Sequence, residues 1–296
     1  NIRMFIFDDD LFTFYRQYVK NFCMAYKKVC SIPFVVNAHV GFFDEERSRY
    51  LSEANCKIVK FGVESGSETI RKKILQRHMK NEKIIKAIRT AHLFGLHTSV
   101  FLMIGLPDET QEDVMANIKL MAEAKPGRYR WSFFFPYPDT KAYEISAKGK
   151  YIDYGEMSHL VNFTEGSCLN FGEAHNLFLK KVGKLMPWFV NAYSDLPVAD
   201  FYRKKVEEIL SLNQQAWELR DLFREVAARL QLTDYQVPDD VPEDVIVQLA
   251  KYEPIHLRFS SDRIHVRLRM TRLTADRRTW RNLEVKATYG PQVDGV

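Results

Sequence analysis

Residues 57–67 read KIVKFGVESGS, which joins an apolar segment to a glycine-containing loop and the first residue of a helical pattern. The pattern of residues 57–62 is typical of a strand. Amphipathic helices are predicted over 67–75 and 81–94, and Gly95 supplies the stop that commonly ends a helix. One strand, one polar loop and one or two helices therefore form a unit of about forty residues.

The first half of the chain repeats this unit. The apolar runs predict strands over 2–7, 34–40, 57–62, 96–104 and 131–135, and the helical spacing predicts helices over 13–29, 44–54, 67–75, 81–94 and 111–124. Strands that alternate with helices predict an α/β fold with a parallel sheet. Part of a β/α barrel and an open doubly wound sheet both fit, and both bind ligands beyond the carboxyl ends of the strands.

Three aspartates follow the first predicted strand, at Asp8, Asp9 and Asp10. Carboxylates at a strand end can bind Mg²⁺ or a ligand ammonium group. They can equally serve the N-terminus of the following helix. The sequence at this point leaves both interpretations open.

The loop after the third strand carries Glu64 and Ser65 between two glycines, and Arg77 follows the next predicted helix. Glu64 can bond hydroxyl or amino groups, and an arginine can hold a carboxylate with two hydrogen bonds. The loop is not the G-x-G-x-x-G of dinucleotide-binding folds, so a Rossmann site is not supported. A lone arginine is also common as a surface charge.

After the fourth strand, Ile104 and Gly105 begin a tight turn that continues through Pro107. The backbone there could bond an adenine edge while the Ile104 side chain packs on the ring, although the same residues also suit an ordinary strand-to-helix loop. Residues 135–140 form a rigid aromatic turn that could wall a pocket. His39 ends another strand, where a single histidine is more often structural than catalytic.

Composition limits the remaining possibilities. The chain has 296 residues, of which 46% are hydrophobic, and a net charge of +5. No apolar run reaches the length of a membrane span, and no signal peptide is visible, so we predict a cytoplasmic protein. The charge pattern does not favour a nucleic-acid partner. The four cysteines (Cys23, Cys30, Cys56 and Cys168) lack metal-ligand spacing and are interpreted as small buried thiols.

The second half follows a different pattern. We predict domains over 1–148, 149–235 and 236–296: the β/α part, a helical extension and a small β-hairpin region. Residues 150–170 are predicted to be irregular, 171–193 helical with a break at Pro187, and 201–230 a long helix. A linker is predicted over 237–243, and strands over 255–268 and 280–288 are predicted to form a hairpin.

Taken in order, the loop motifs F-x-D-D-x-F-T, F-G-V-E-S-G-S, I-G-L-P-x-E-T and P-Y-P-x-T resemble the radical S-adenosylmethionine (SAM) superfamily. Within it, the chain is most similar to the branch with an N-terminal cobalamin-binding domain. The resemblance covers about residues 2–146. It implies a partial (β/α)₆ TIM-like barrel in which the first strand seen here is the family's second.

The resemblance also implies cofactors and their residues. SAM would bind on a [4Fe–4S] cluster at the open end of the barrel. Asp9 and Asp10 match residues near the methionine moiety, Glu64 and Ser65 match those at the ribose and amino group, Arg77 matches a partner of the carboxylate, and Ile104 and Gly105 match the adenine loop. The family's C-x₃-C-x₂-C cluster motif is absent from the chain. We therefore expect a fragment that begins after this motif and is inactive alone.

For the intact parent, the resemblance implies a radical enzyme that acts on an unactivated carbon of a small organic substrate. A 5′-deoxyadenosyl radical would start a methylation, with cobalamin as methyl carrier, or a rearrangement or cyclisation. Flavodoxin or ferredoxin would supply electrons. The alternative is an inactive nucleotide-binding or scaffold module with a vestigial barrel.

Overall fold

The computed structural model describes residues 2–160, 164, 166–218, 234–236, 255–260, 263–273 and 279–289, with side chains as far as residue 218. The chain divides into two compact units, Asn1–Tyr202 and Arg203–Val296. The first unit contains the predicted strand–helix repeat. The second contains an antiparallel sheet.

Helices and strands alternate through the first unit. Its strands are β1 (Phe5–Phe7), β2 (Phe34–Ala38), β3 (Cys56–Glu64), β4 (His97–Ile104) and β5 (Arg128–Phe133). Its helices are α1 (Arg16–Val29), α2 (Glu45–Glu53), α3 (Glu68–Lys73), α4 (Asn81–Leu93), α5 (Gln111–Ala124), α6 (Lys141–Lys148), α7 (Tyr154–His159) and α8 (Glu173–Ala192), and α9 (Ala199–Ser211) begins there.

The five strands form one parallel sheet in the order β1-β2-β3-β4-β5. A doubly wound sheet reverses its strand order at a switch point, whereas a barrel adds each strand beside the previous one. The sequential order therefore decides between the two architectures that the sequence left open. The predicted partial (β/α) barrel is confirmed.

Burial along the strands shows that helices cover only one face of this sheet. In β3, Val59, Phe61 and Val63 are fully buried, whereas the alternating Lys60, Gly62 and Glu64 are half-buried. In β4, Val100 and Leu102 are buried, whereas Phe101 and Met103 are half-buried. We call the second surface, which carries Lys60, Gly62, Glu64, Phe101 and Met103, the open face.

An aromatic cluster attaches α1 to the covered face of the sheet. Phe7 of β1 makes edge-to-face contacts with Phe22 and Tyr26 of α1 and with Phe34 of β2, at ring distances of 5.1, 6.2 and 5.5 Å. Such pairs add to the burial of large apolar area. Since β1 pairs with only one strand of this sheet, the cluster contributes much of what holds it in place.

Side-chain caps mark the starts of three helices. Thr110 and Asp113 form a capping box at the start of α5, where each side chain accepts the other's backbone N–H at 3.2 and 3.1 Å. Asp44 and Ser67 cap α2 and α3 through their side-chain oxygens. Helix α5 matches its predicted bounds.

Other boundaries differ from prediction. Strand β5 begins at Arg128, three residues earlier than predicted, because Arg128 and Arg130 interrupt its apolar pattern. Residues 150–170, predicted as irregular, include α7, which Asp153 caps through its side chain. Helix α9 ends at Ser211, and the later part of the predicted long helix, from residue 219, lies outside the described residues. Helix α8 kinks at Leu185, next to the predicted break at Pro187.

The second unit holds a four-stranded antiparallel sheet in the order β6-β9-β8-β7. Its strands are β6 (Asp234–Gln236), β7 (Ile255–Ser260), β8 (Arg263–Leu273) and β9 (Thr279–Tyr289). The single strand predicted over 255–268 is wrong, since β7 and β8 divide it and pair with each other. The intervening Ser261 and Asp262 are typical turn residues that the prediction overlooked. The predicted linker at 237–243 lies outside the described residues.

None of the helices within the described ranges is long and apolar enough to cross a membrane.

Gly66 provides a test of how tightly this fold is packed near the candidate site. A Cβ at Gly66 would collide with the carbonyl of Ala116 and the backbone nitrogen of Asn117, and backbone atoms cannot rotate away. We expect Gly66→Ala to lower the free energy of unfolding by about 3 kcal/mol, the upper end for overpacking. Urea denaturation followed by circular dichroism measures this change.

Gly166→Ala is the matched control, because nothing lies within 4 Å of its added Cβ. We expect that variant to stay within about 0.5 kcal/mol of the wild type. Equal unfolding midpoints for the two variants would contradict the packing described for Gly66.

Candidate functional site

The carboxyl ends of the strands bring Glu64 and Arg77 together on the open face. An Arg77 guanidinium nitrogen, Nη1, lies 3.0 Å from Glu64 Oε1 and donates to the Gly62 carbonyl at 2.9 Å. A Cβ at Gly62 would meet both side chains, so the ion pair lies directly over that glycine. Two residues that are thirteen positions apart in sequence thus form one polar group at the end of β3.

Glu64 combines an unusual backbone with a partly buried carboxylate. Its φ of 67° lies in the left-handed region, where residues other than glycine are uncommon. The register with β4 shifts between Gly62 and Glu64, so the strand bends at this point. Burial raises the pKa of Glu64, and the neighbouring Arg77 charge opposes that rise. Backbone strain of this kind is concentrated at functional sites.

Arg71, which the sequence analysis missed, supports the loop that carries Glu64. Its side chain is fully buried and donates to the carbonyls of Ser65 and Met79 and to the side chain of Asn81. A buried guanidinium costs free energy unless acceptors surround it. Here the acceptors are loop carbonyls, so the arginine fixes the loops on both sides of α3. Its position inside an amphipathic helix gives no sign of this role in the sequence.

Helix α5 holds the same loop from its other side. Asn117 accepts the backbone N–H of Gly66 through its side-chain oxygen, and Ser67 donates to Asp113 at 2.6 Å. Asp113 and Asn117 are one helical turn apart and lie on the same side of α5. Ser65 is fully buried, and its hydroxyl accepts the Ser67 N–H at 3.2 Å, so its side chain takes part in this loop structure.

The loop after β4 is built around a buried carboxylate. Glu109 is nearly inaccessible, and its Oε2 accepts the backbone N–H groups of Gly105 and Leu106 at 2.6 and 3.2 Å. Its Oε1 has no hydrogen-bond partner among the described residues. Burial raises the pKa of Glu109 to about 8, although the two N–H bonds favour the charged form. In the sequence this residue is the glutamate of the I-G-L-P-x-E-T motif, just before the predicted helix, and nothing there indicates its burial.

Ile104 and Gly105 both have structural roles in the loop after β4. The Ile104 side chain is fully buried, and its carbonyl accepts the Phe134 N–H at 2.9 Å. Gly105 has a φ of 75°, which favours glycine, and its N–H is bonded to Glu109. The neighbouring Met103 is the residue of this strand end that reaches the open face.

A cavity of about 380 Å³ opens at the carboxyl ends of β4 and β5. Apolar and aromatic side chains form most of its wall, among them Met103, Phe133, Phe134, Phe135 and Tyr137. Gln76, the residue before Arg77, lines the same cavity. An aromatic-walled cavity with polar groups at its edge is the usual form of a small-molecule site. The aromatic turn predicted at 135–140 does wall a pocket.

The three aspartates after β1 lie on an exposed turn and have different partners. Asp8 forms an ion pair with Lys60 of β3 at 3.4 Å. Asp9 accepts the Leu11 N–H at 3.0 Å, and Asn37 donates to its backbone carbonyl at 3.3 Å. Asp10 is exposed. The run therefore lies at the same edge as Glu64, with Asp9 stabilising its own turn.

His39, just after β2, is within electrostatic range of Arg77. Burial lowers the pKa of His39, and the positive charge of Arg77 lowers it further. Its Nδ1 accepts the Gly41 N–H at 3.1 Å, which leaves the proton of the neutral ring on Nε2. This histidine caps a short turn, the structural role that a lone histidine usually has.

The cysteines are free thiols, and Cys23, Cys56 and Cys168 are buried. Burial raises the pKa of Cys23 to about 12 and also raises the pKa of Cys56, so both stay protonated and are poor metal ligands. The interpretation of buried thiols is confirmed for these three. Within the described residues, no three His, Cys, Asp or Glu side chains are grouped so that they could hold a metal ion.

Comparison with known proteins shows what this part of the chain is similar to. The model of the radical SAM superfamily matches residues 9–121, which include β2, β3, β4 and the loops around Glu64 and Gly105. This part of the chain is therefore similar to the radical SAM superfamily, as its loop motifs predicted.

Two relatives and one solved structure are each similar to part of this chain. An uncharacterized methyltransferase of Pyrococcus horikoshii is 31% identical over 141 residues, which cover 47% of this chain and 30% of that protein. A tRNA-2-methylthio-N(6)-dimethylallyladenosine synthase of Ehrlichia ruminantium is 27% identical over 162 residues, covering 50% and 36%. A solved structure of the radical SAM methyltransferase TsrM from Kitasatospora setae has a TM-score of 0.39 and 19% identity, covering 46% and 28%. The matches span about a third of each relative.

The buried Glu109 carboxylate predicts a pH dependence of stability. Its pKa in the folded chain, about 8, exceeds its ordinary value of 4.5, so the folded state binds an extra proton between these pH values. The contribution of Glu109 to the free energy of unfolding is fully present below pH 4.5. It declines as the pH rises toward 8, by at most about 1.4 kcal/mol per pH unit. Glu109→Gln removes the titration, so the variant should become more stable relative to the wild type as the pH rises.

Urea denaturation at intervals from pH 5 to pH 8.5 checks this difference. Glu112→Gln, an exposed position on the same helix, is the control and should follow the wild type at every pH. A constant difference between wild type and Glu109→Gln across this range would show that Glu109 is ionised throughout.

Proposed function

We propose that the first unit is the SAM-binding part of a radical SAM enzyme that methylates or rearranges an unactivated carbon of a small organic substrate. The observation that carries the proposal is the Glu64–Arg77 pair on the open face, at the same strand ends as the aromatic-walled cavity. The radical SAM match over residues 9–121 supports it.

The residues present suit the chemistry of SAM. Its purine needs an apolar slot, which the cavity beside Met103 and Phe135 offers. Its carboxylate needs a cation, which Arg77 supplies, and its ribose hydroxyls or ammonium group need an acceptor, which Glu64 supplies. Both side chains are already paired with each other, so their orientation is set before a ligand arrives. Pre-set groups lose less conformational entropy on binding.

The other matched residues act mainly through the backbone in this proposal. Ser65 shapes the loop from which Glu64 projects, and Ile104 and Gly105 shape the turn beside the cavity. Asp9 and Asp10 present carboxylates at the same edge, toward the methionine end of the ligand. Bound SAM supplies a carbon-centred radical for hydrogen abstraction once an electron reaches it. The chain's own tasks are orientation of the ligand and exclusion of water.

A [4Fe–4S] cluster is not held by the residues described. Three closely placed thiolates are needed, and the four cysteines lack that spacing. We propose that the cluster ligands, and an electron donor such as flavodoxin or ferredoxin, belong to the complete enzyme.

Methyl transfer is our preferred outcome for the complete enzyme. The Pyrococcus horikoshii relative is named as a methyltransferase, and the four loop motifs resemble the cobalamin-binding branch. Cobalamin would then be the methyl carrier, bound outside this chain. The free thiols suit a reducing compartment, which supports a cytoplasmic location.

Binding of SAM to the 296-residue chain tests the proposal. We expect saturable binding in isothermal titration calorimetry, and a loss of about tenfold or more in affinity for Arg77→Gln, because a charge-assisted contact to the carboxylate is removed. Glu64→Gln should also weaken binding. Arg89→Gln, at an exposed position on α4, is the control and should bind like the wild type.

Thermal melts of each variant separate lost contacts from lost folding. A folded wild-type chain that does not bind SAM would overturn the proposal and favour a vestigial scaffold. Equal affinities of Arg77→Gln and wild type would show that the ion pair is structural.

A further inference from the structure

The open face carries two parallel rows of residues that cross the sheet below the strand ends. In one row, Asn37, Lys60, Ser99 and Arg128 are successive Cα partners on β2, β3, β4 and β5. In the next row, Gly62, Phe101 and Arg130 are partners on β3, β4 and β5. The second row begins at the glycine beneath the Glu64–Arg77 pair.

Arg128 and Arg130 belong to the open face because their neighbours in β5 point to the other one. Trp131 donates its indole N–H to the Gly183 carbonyl of α8 at 2.8 Å, and Phe133 packs against the same glycine. Alternate residues of a strand face opposite sides. Both arginines are exposed, and Ser132, the next residue on their side, lines the cavity.

The charge on this face is unbalanced. Two of the acidic residues near it are already engaged, since Asp8 pairs with Lys60 and Glu64 pairs with Arg77. Within the part of the chain whose side chains are described, no ion pair involves Arg128 or Arg130. Two cations, two positions apart on one side of a strand, therefore stand without a counter-charge beside the candidate SAM site.

We propose that Arg128 and Arg130 bind an anionic group of the substrate, a carboxylate or a phosphate, and that Lys60 joins them by exchanging its exposed partner Asp8 for the ligand. The inference rests on the proposed function for the identity of the ligand as substrate. Guanidinium groups match such oxyanions with two parallel hydrogen bonds. The uncompensated charge of the two arginines is the feature that selects an acidic substrate.

The spacing of the rows suits a single ligand. Neighbouring strands lie about 4.8 Å apart, so Arg128 and Lys60, two strands apart, have Cα atoms about 10 Å from each other. Two long side chains can meet over the small Ser99 that separates them. Arg130 is at a similar distance from Gly62, over which Arg77 lies. An anion held by the arginines would thus place the remainder of the molecule beside the Glu64–Arg77 pair.

The test uses inorganic phosphate and succinate as probes, titrated into the 296-residue chain at low and moderate salt and followed by ligand-observed NMR. We expect saturable binding of at least one anion, and an affinity at least about tenfold weaker in the R128Q/R130Q variant. The control is K86Q/R89Q, which removes two exposed positive charges from the outer side of α4. That variant should stay within about twofold of the wild type.

Each outcome bears on the proposal. An equal loss in both double variants would show a general charge effect and overturn it. Absence of saturable binding to either anion would also overturn it, and would favour edge-strand protection as the role of the arginines. A parallel SAM titration separates the two hypotheses: R128Q/R130Q should bind SAM like the wild type. If the wild type binds the anions but not SAM, the proposed function fails while the anion site stands.

Discussion

Helices cover the parallel sheet on one face only, and the rest of the first unit depends on this constraint. A strand buried on both sides must be apolar throughout, whereas a strand covered on one side can carry polar groups at every second position. Strands β3 and β5 use that freedom: Phe61 and Phe133 are buried on the covered face, while Lys60, Glu64 and Arg130 occupy the uncovered surface. The same strands thereby hold the core together and display the candidate site.

Buried ionisable side chains fix the loops at the end of this sheet. Arg71 satisfies loop carbonyls, and Glu109 satisfies loop N–H groups, so each supplies the hydrogen-bonding partners that an irregular backbone lacks. Both are costly to bury alone. Their cost is offset only when the surrounding loop has the observed shape, so that shape is strongly favoured over alternatives. Glu64 and Arg77 consequently meet in a prepared geometry.

The sequence predicted most of the first unit because its pattern is local. Apolar periodicity and caps such as Thr110 located the strands and helices, and the position of Glu64 after a strand placed it at the ligand edge. The pairing of Glu64 with Arg77 was not predictable, since it depends on how the segment after α3 folds back and places Arg77 over Gly62. Arg71 was missed because a charged residue within a helix pattern is normally exposed, and Glu109 because an acidic residue just before a helix normally serves the start of that helix. The division of residues 255–268 into two strands was missed because only two residues, Ser261 and Asp262, interrupt the pattern.

The loop after β3 and helix α5 share their hydrogen bonds, and this has a consequence for how sequences of this kind can change. Gly66 and Ser67 of the loop bond to the side chains of Asn117 and Asp113 of the helix. Substitutions in the two segments are therefore thermodynamically coupled rather than additive. A replacement at Asp113 alters the cost of a replacement at Ser67, although nearly fifty positions separate them. Substitutions in one segment are therefore expected to be accompanied by substitutions in the other.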